Sequence, residues 1–215
     1  MVFERDFFEI INTRKTIRKY TNEIPPLEAI KKIADAGRLA PCATNTQNWE
    51  FIAIYNSAIK EKMAQAVENK FEEFQNIITD ETDKNKINGY KFYSMFFKKA
   101  PVVFAIIEKP RTSTMLYILQ KTGMNPDEIQ KYDNRSSILS MGAAIENMSL
   151  CAHALGLGTC WMCAPLVAQK EFGEILNIND GEKVVSLLTV GYPDMEVTVV
   201  QPPKKEINEV FKTIT

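Results

Sequence analysis

Residues 136–155 read SSILSMGAAIENMSLCAHAL and form the best helix in the chain. Ile138, Met141, Ile145, Met148, Ala152 and Leu155 recur at helical spacing along one stripe. Leu139, Ala143, Leu150 and Ala154 make most of the opposite side apolar as well. A helix apolar almost all round is buried on all sides, so this one is expected at the centre of the fold or across a subunit contact. Gly156 is its expected left-handed stop.

Working outward, Thr159–Met162 and Val184–Val190 read as strands, with an amphipathic helix near 166–176 between them. Upstream, 49–55 and 101–107 are dense in aromatic and β-branched residues and read as two more buried strands. Residues 4–13 read as a helix, and Pro25-Pro26 sets up another through about Leu39. Residues 58–99 are helical by propensity, with a break expected over Lys84 to Gly89. Tyr90, Phe92, Tyr93, Phe96 and Phe97 read first as core, and second as part of a lid over a planar substrate. Residues 110–135 read as irregular apart from a capped turn at Asn125-Pro126-Asp127-Glu128. Val197–Val200 reads as a further strand, and the tail ends in a short helical piece. Helices and short strands are interspersed without repeat or linker, which makes one α+β domain over residues 1–215.

At 215 residues the chain can bury a substantial core. Its 26 basic and 27 acidic side chains leave no net basic footprint, which argues against nucleic acid. Residues 147–169 carry no formal charge, but Gly156, Gly158 and Pro165 interrupt them, and a buried helix, turn and strand explain them better than a membrane span. Four cysteines (Cys42, Cys151, Cys160, Cys163), with no secretory leader, fit thiols in a reducing cytoplasm.

Two segments carry the chemistry. Arg14-Lys15-Thr16-Ile17-Arg18 packs three cations and a hydroxyl into five residues. Guanidinium groups bind phosphate oxygens as a planar fork, and Lys15 adds a point charge. Residues 41–49, Pro41 to Trp49, form a loop rich in small hydroxyl and amide side chains. One helix-length segment separates the two, so they can face each other, as a ligand with an anionic end and a flat body requires. Lys204 and Lys205 are a second source of positive charge for the clamp. Cys160-x-x-Cys163 lies at a buried strand edge and lacks the ligand number of a zinc or iron–sulfur site, so small buried residues are the better reading. His153, the only histidine, lies between two alanines and reads as structural. No G-x-G-x-x-G follows a strand, and no P-loop is present.

Taken together, four segments resemble the FMN-dependent nitroreductase family. Residues 14–20 resemble its Arg-Arg-Ser-x-Arg-x-Phe signature, and 39–49 its Ala-Pro-Ser-x-x-Asn-x-Gln-Pro-Trp loop. Residues 154–161 resemble its Leu-Gly-Leu-Gly-x-x-Trp turn, and 187–193 its Gly-Tyr-Pro segment. The resemblance implies a central, mostly antiparallel sheet surrounded by helices, an intertwined homodimer, and FMN at the subunit interface. It implies that Arg14, Lys15, Thr16 and Arg18, aided by Lys204 or Lys205, hold the phosphate and ribityl chain. Pro41, Cys42, Ala43, Asn45 and Gln47 then line the isoalloxazine, partly from the second subunit, and Met162, Cys163 and Ala164 run along the ring. The implied activity passes hydride from NAD(P)H through flavin N5 to a nitroaromatic, quinone or similar planar acceptor. Chemistry carried by FMN also explains the lack of a catalytic dyad or metal. The alternative is a non-catalytic flavin-binding or thiol redox-sensing module using Cys160 and Cys163. Three departures stand out: Cys42 in place of Ser, Asn48 in place of Pro before Trp49, and Cys163-Ala164 beside the expected ring.

Overall fold

The computed structural model describes residues 2–132, 135–197 and 202–214, with only the backbone of residues 2–6. Four strands form one sheet: β1 (Trp49–Ile54), β2 (Val102–Glu108), β3 (Gly158–Met162) and β4 (Lys183–Gly191). Their order is β1-β2-β4-β3, and every pairing is antiparallel. Trp49 lies opposite Glu108, Val102 opposite Val190, and Gly158 opposite Gly191, with a register shift between Ile106 and Ile107.

Both faces of the sheet are covered, which is why the strands read as continuous apolar runs rather than alternating ones. On β2, Val103, Ala105 and Ile107 enter one core, while Val102, Phe104 and Ile106 enter the other. The first core is closed by α3 (Ser57–Ile77) and α8 (Gln169–Leu176) through Met63, Val67, Phe71 and Phe172. The second is closed by α2 (Leu27–Arg38) and α7 (Ser136–Ala154) through Ile30, Ile33, Met141, Ile145 and Met148. α2 comes close to α7 because Gly37 has no side chain; a Cβ there would stand 2.8 Å from Met148 Cγ. Asn147 Nδ2 donates to the Ala36 carbonyl at 3.2 Å across the same seam.

α7 matches the expected helix and stops at Gly156, whose φ is +76°. Its middle is buried, but Ile138, Leu139 and Leu155 at its ends are exposed in the single chain. α1 (Val2–Thr13) and α9 (Ile207–Val210) also match the reading. The expected strand at 197–200 falls mostly outside the described residues.

Three expectations need correction. The break in 58–99 lies at Ile78–Asp80, because Asp80 caps α4 (Glu81–Met95) by accepting from the Asp83 N–H at 2.9 Å. Lys84 to Gly89 is therefore helical. In the aromatic stripe only Phe97 is fully buried; Tyr90, Phe92 and Tyr93 are exposed, so they are not core. Residues 110–135 are not irregular: they contain α5 (Thr114–Lys121), capped by Ser113, and α6 (Pro126–Gln130), capped by Asn125. No helix of the described residues is long and apolar enough to cross a membrane.

Candidate functional site

The basic run is fixed by backbone pairing. The Ile17 N–H donates to the Thr159 carbonyl at 2.8 Å, and Thr16 bridges Thr159 in parallel. The run therefore lies along the open edge of β3. Gly158 makes the approach possible, since a Cβ there would stand 2.6 Å from Ile17 Cγ1. Tyr20 anchors the far end: its hydroxyl donates to the Ile17 carbonyl and accepts from Thr189 Oγ1, each at 2.6 Å. Burial pushes the Tyr20 phenol well above its ordinary value, against the opposing Thr189 bond.

The cations divide. Arg14 is half-buried and meets Glu146 of α7 at 3.3 Å. Lys15 and Arg18 are exposed and make no ion pair among the described residues. Lys15 and Ile17 line a cavity of about 520 Å³ with His153, Gly158 and Asp194, which Arg14, Thr16 and Arg18 do not line. Thr13 Oγ1 donates to the Glu9 carbonyl at 2.6 Å, so it accepts from His153 Nε2 at 2.8 Å. Burial, then the neighbouring Arg14 guanidinium, holds the His153 imidazole below its ordinary value. His153 is thus a strut between α1 and α7, as its surroundings in the sequence implied.

The loop is built differently. Thr44, Asn45 and Gln47 all adopt left-handed backbone, with φ of 52°, 51° and 45°. Such conformations are sparsely populated for side-chain-bearing residues and gather at functional sites. Side chains hold them. The Ala43 N–H donates to Ser140 Oγ of α7 at 3.3 Å, and Asn48 Nδ2 donates to Ser137 Oγ at 2.8 Å. Cys42 Sγ accepts from the Gln47 N–H at 3.2 Å and lies 3.4 Å from Thr46 Oγ1. Burial alone would raise the Cys42 thiol, but bonds from Thr46, the Gln47 N–H, Ser140 and the Asn48 N–H outweigh it and lower its pKa. Cys42, which replaces the expected Ser, is therefore the hub of the loop. Asn48, which replaces the expected Pro, is one of its anchors.

At the end of β3, Met162 is buried and its carbonyl accepts from Ser186 Oγ at 3.1 Å. Cys163 is exposed, and Ala164, half-exposed, begins a short 3-10 turn through Ala168. Cys160 faces the core; burial, partly offset by Arg18, pushes its thiol up to about 11.

No hydrogen bond or ion pair among the described residues joins the two main segments within one chain. Each is tied to α7, the loop at Ser140 and the run at Glu146 and, through Thr13, at His153. At 1.5 Å rise per residue those contacts lie about 9 and about 20 Å further along the helix. Lys204 and Lys205 are exposed, and neither makes an ion pair among the described residues. Sequence reasoning missed Ser137, Ser140 and Arg111, which hold the loop from outside it. Only the hydroxyls at 136–140, on the turn of α7 nearest the loop, gave a signal.

A sheet with both faces covered, a basic run on its edge strand and a strained polar loop beside its central helix define an α+β fold with a candidate ligand site. The Nitroreductase family profile matches residues 11–192, and the chain belongs to that family. Among curated proteins, iodotyrosine deiodinase 1 of Sus scrofa is 26% identical over 220 residues, covering 98% of this chain and 69% of its own length. Among solved structures, a BluB-like flavoprotein from Clostridium difficile 630 superposes with a TM-score of 0.84 at 29% identity, covering 96% of this chain and 98% of that one. A nitroreductase with bound FMN from Bacteroides fragilis NCTC 9343 superposes with a TM-score of 0.68 at 19% identity, covering 97% of this chain and 98% of its own. That last likeness is one of fold.

Proposed function

We propose that the protein is an FMN-dependent oxidoreductase, working as an intertwined homodimer, that takes hydride from NADH or NADPH and passes it to a planar aromatic acceptor. The observation that carries this reading is the basic run stitched to the edge of β3, with Arg18 exposed beside Thr16 and Arg14. Two guanidinium groups and a hydroxyl on a fixed edge suit a phosphomonoester.

Surfaces that the single chain leaves uncovered support the dimer. Phe7, Phe8 and Ile11 of α1 are exposed, as are Ile138 and Leu139 of α7 and Ile207, Val210, Phe211 and Ile214 of the tail. Exposed apolar side chains on three elements suit burial against a second copy. Residues 202–214 are exposed throughout, which suits an arm lying on a second copy. A second chain would also bring its loop 41–48 to the first chain's basic run.

In that arrangement Arg14, Thr16 and Arg18 hold the phosphate, with Lys15 contributing charge and Lys204 or Lys205 closing over it. Pro41, Cys42, Ala43, Asn45 and Gln47 of the loop flank the ring, and the loop's internal bonds, with the one from the Ala43 N–H to Ser140, hold them in a single conformation. The exposed backbone at Cys163-Ala164 faces its other edge, while the Met162 side chain stays in the core. FMN, when bound, supplies hydride acceptance and donation at its N5. The protein orients the nicotinamide and the acceptor in turn over one face and keeps water away from it, with exposed Phe92, Tyr93 and Tyr117 available as covering side chains.

A halogenated phenol is the second reading of the acceptor, favoured by the deiodinase relative. The thiol-module alternative has less support, because Cys160 is buried with its thiol held protonated. Anaerobic titration of the holoprotein with NADH and NADPH tests the proposal. Bleaching of the visible flavin band by either one, and its return with a nitroaromatic or quinone, is expected. A flavin that neither nicotinamide bleaches contradicts the reading, and a protein that takes up no FMN contradicts it entirely.

A further inference from the structure

Arg111 lies just beyond β2, outside every segment that resembles the family, and its guanidinium forks between two elements. Nη1 donates to Ser136 Oγ at the start of α7, at 2.9 Å, and Nη2 donates to Thr44 Oγ1 at 3.2 Å. The Thr44 hydroxyl spends its own hydrogen on the Ala43 carbonyl at 2.7 Å, so it can only accept from Arg111. Thr44 is the first of the three left-handed residues of the loop. Arg111 Nε is buried without a hydrogen-bond partner, and no carboxylate pairs with Arg111 among the described residues. A partly buried cation with an unmade bond is a poor device for stability alone. It is a good device for geometry: a planar fork can hold two hydroxyls at a fixed separation, and a lysine cannot.

We infer that Arg111 is a positioning residue: it fixes Thr44 against the start of α7 and thereby holds loop 42–48 in the strained form that flanks the cofactor ring. The inference rests on the flavin reading above. It assigns Arg111 no contact with substrate, and its effect passes through Thr44.

The test compares wild type with Arg111→Met, Arg111→Lys, Thr44→Val and the double variant Arg111→Met/Thr44→Val. The readouts are FMN affinity, the shape of the bound flavin's visible spectrum, and the thermal midpoint of the apoprotein. Both Arg111 variants and Thr44→Val should weaken FMN binding by roughly tenfold, the equivalent of one charged hydrogen bond. The spectrum should change, the apoprotein midpoint should stay close to wild type, and the double variant should be no worse than Arg111→Met. Thr44 is exposed, so Thr44→Val reports on the same bond even where Arg111→Met fails to fold. Wild-type FMN affinity and spectrum in Thr44→Val, full rescue by Arg111→Lys, or additive losses in the double variant would each overturn the inference. In those cases wild type still binds FMN, whereas a wild type that binds none overturns the functional reading beneath it.

Discussion

The basic run and the amide-rich loop, proposed as two halves of one site, are held in place by opposite means. The run is positioned mainly by its backbone: Ile17 and Thr16 pair with Thr159, to which Arg14 adds a part-exposed ion pair with Glu146. The loop is positioned by its side chains: Cys42, Thr44 and Asn48 reach to neighbours that hold three left-handed residues. Substitution should therefore change binding alone in the run, and change binding together with loop conformation in the loop.

The largest effect is expected where the run meets the sheet. Gly158→Ala puts a Cβ 2.7 Å from Ile17 Cβ, a branched centre that cannot rotate away. Overpacking of this kind costs about 1–3 kcal/mol, and the displaced run should also lose FMN. Denaturant unfolding and flavin content measure both; a stable, yellow Gly158→Ala protein would mean that the run is not held by this edge.

Next come the cations. Arg14→Ala or Arg18→Ala should weaken FMN binding by roughly 10- to 100-fold, from bonds to charge worth about 1.5–3 kcal/mol. Unfolding should move by less than about 1 kcal/mol, because a part-exposed pair such as Arg14–Glu146 contributes little. Unchanged FMN affinity in both variants would remove the phosphate assignment.

The loop prediction concerns protons. The Cys42 thiol lies below its ordinary value of 9.0, so its thiolate persists to lower pH than that of a cysteine in an unstructured peptide. Alkylation by iodoacetamide, followed at Cys42 by mass spectrometry, should set in at correspondingly lower pH and shift upward in Thr46→Val. A profile matching the peptide would break the view of Cys42 as the loop's hub.

The smallest effect belongs to His153. Its folded pKa lies below the ordinary 6.5, so the unfolded chain binds more protons in the window just beneath 6.5. Stability should rise with pH through that window and fall on acidification, and His153→Gln should flatten this limb of the stability curve. Histidine resonances titrating above 6.5 would contradict it.

Much of this was legible in the sequence, for a physical reason. Strands covered on both faces leave unbroken apolar runs, and α7 shows its core stripe from Met141 to Ala152. The run and the loop announced themselves by residue type. What stayed hidden depends on surfaces that one chain leaves uncovered. α5 carries Met115, Tyr117 and Ile118 outward, so its apolar residues mark no core. The same holds for Tyr90, Phe92 and Tyr93 of α4. The break between α3 and α4 falls before 84–89 because the Asp80 cap starts α4 there; open space surrounds Gly89, so it imposes no packing demand. Arg111 had no local signal, since its partners lie 67 and 25 residues away.

The central claim is that the run of one chain and the loop of another complete each site. Co-expression of a run-deficient chain (Arg14→Ala/Arg18→Ala) with a loop-blocked chain (Ala43→Trp), each carrying a different tag, tests it directly. Tandem-purified heterodimers should hold about one FMN per dimer, in the site built from the two intact halves, while each parent homodimer holds little. Heterodimers as empty of flavin as both parents would place the run and the loop of each site in the same chain, and contradict the account.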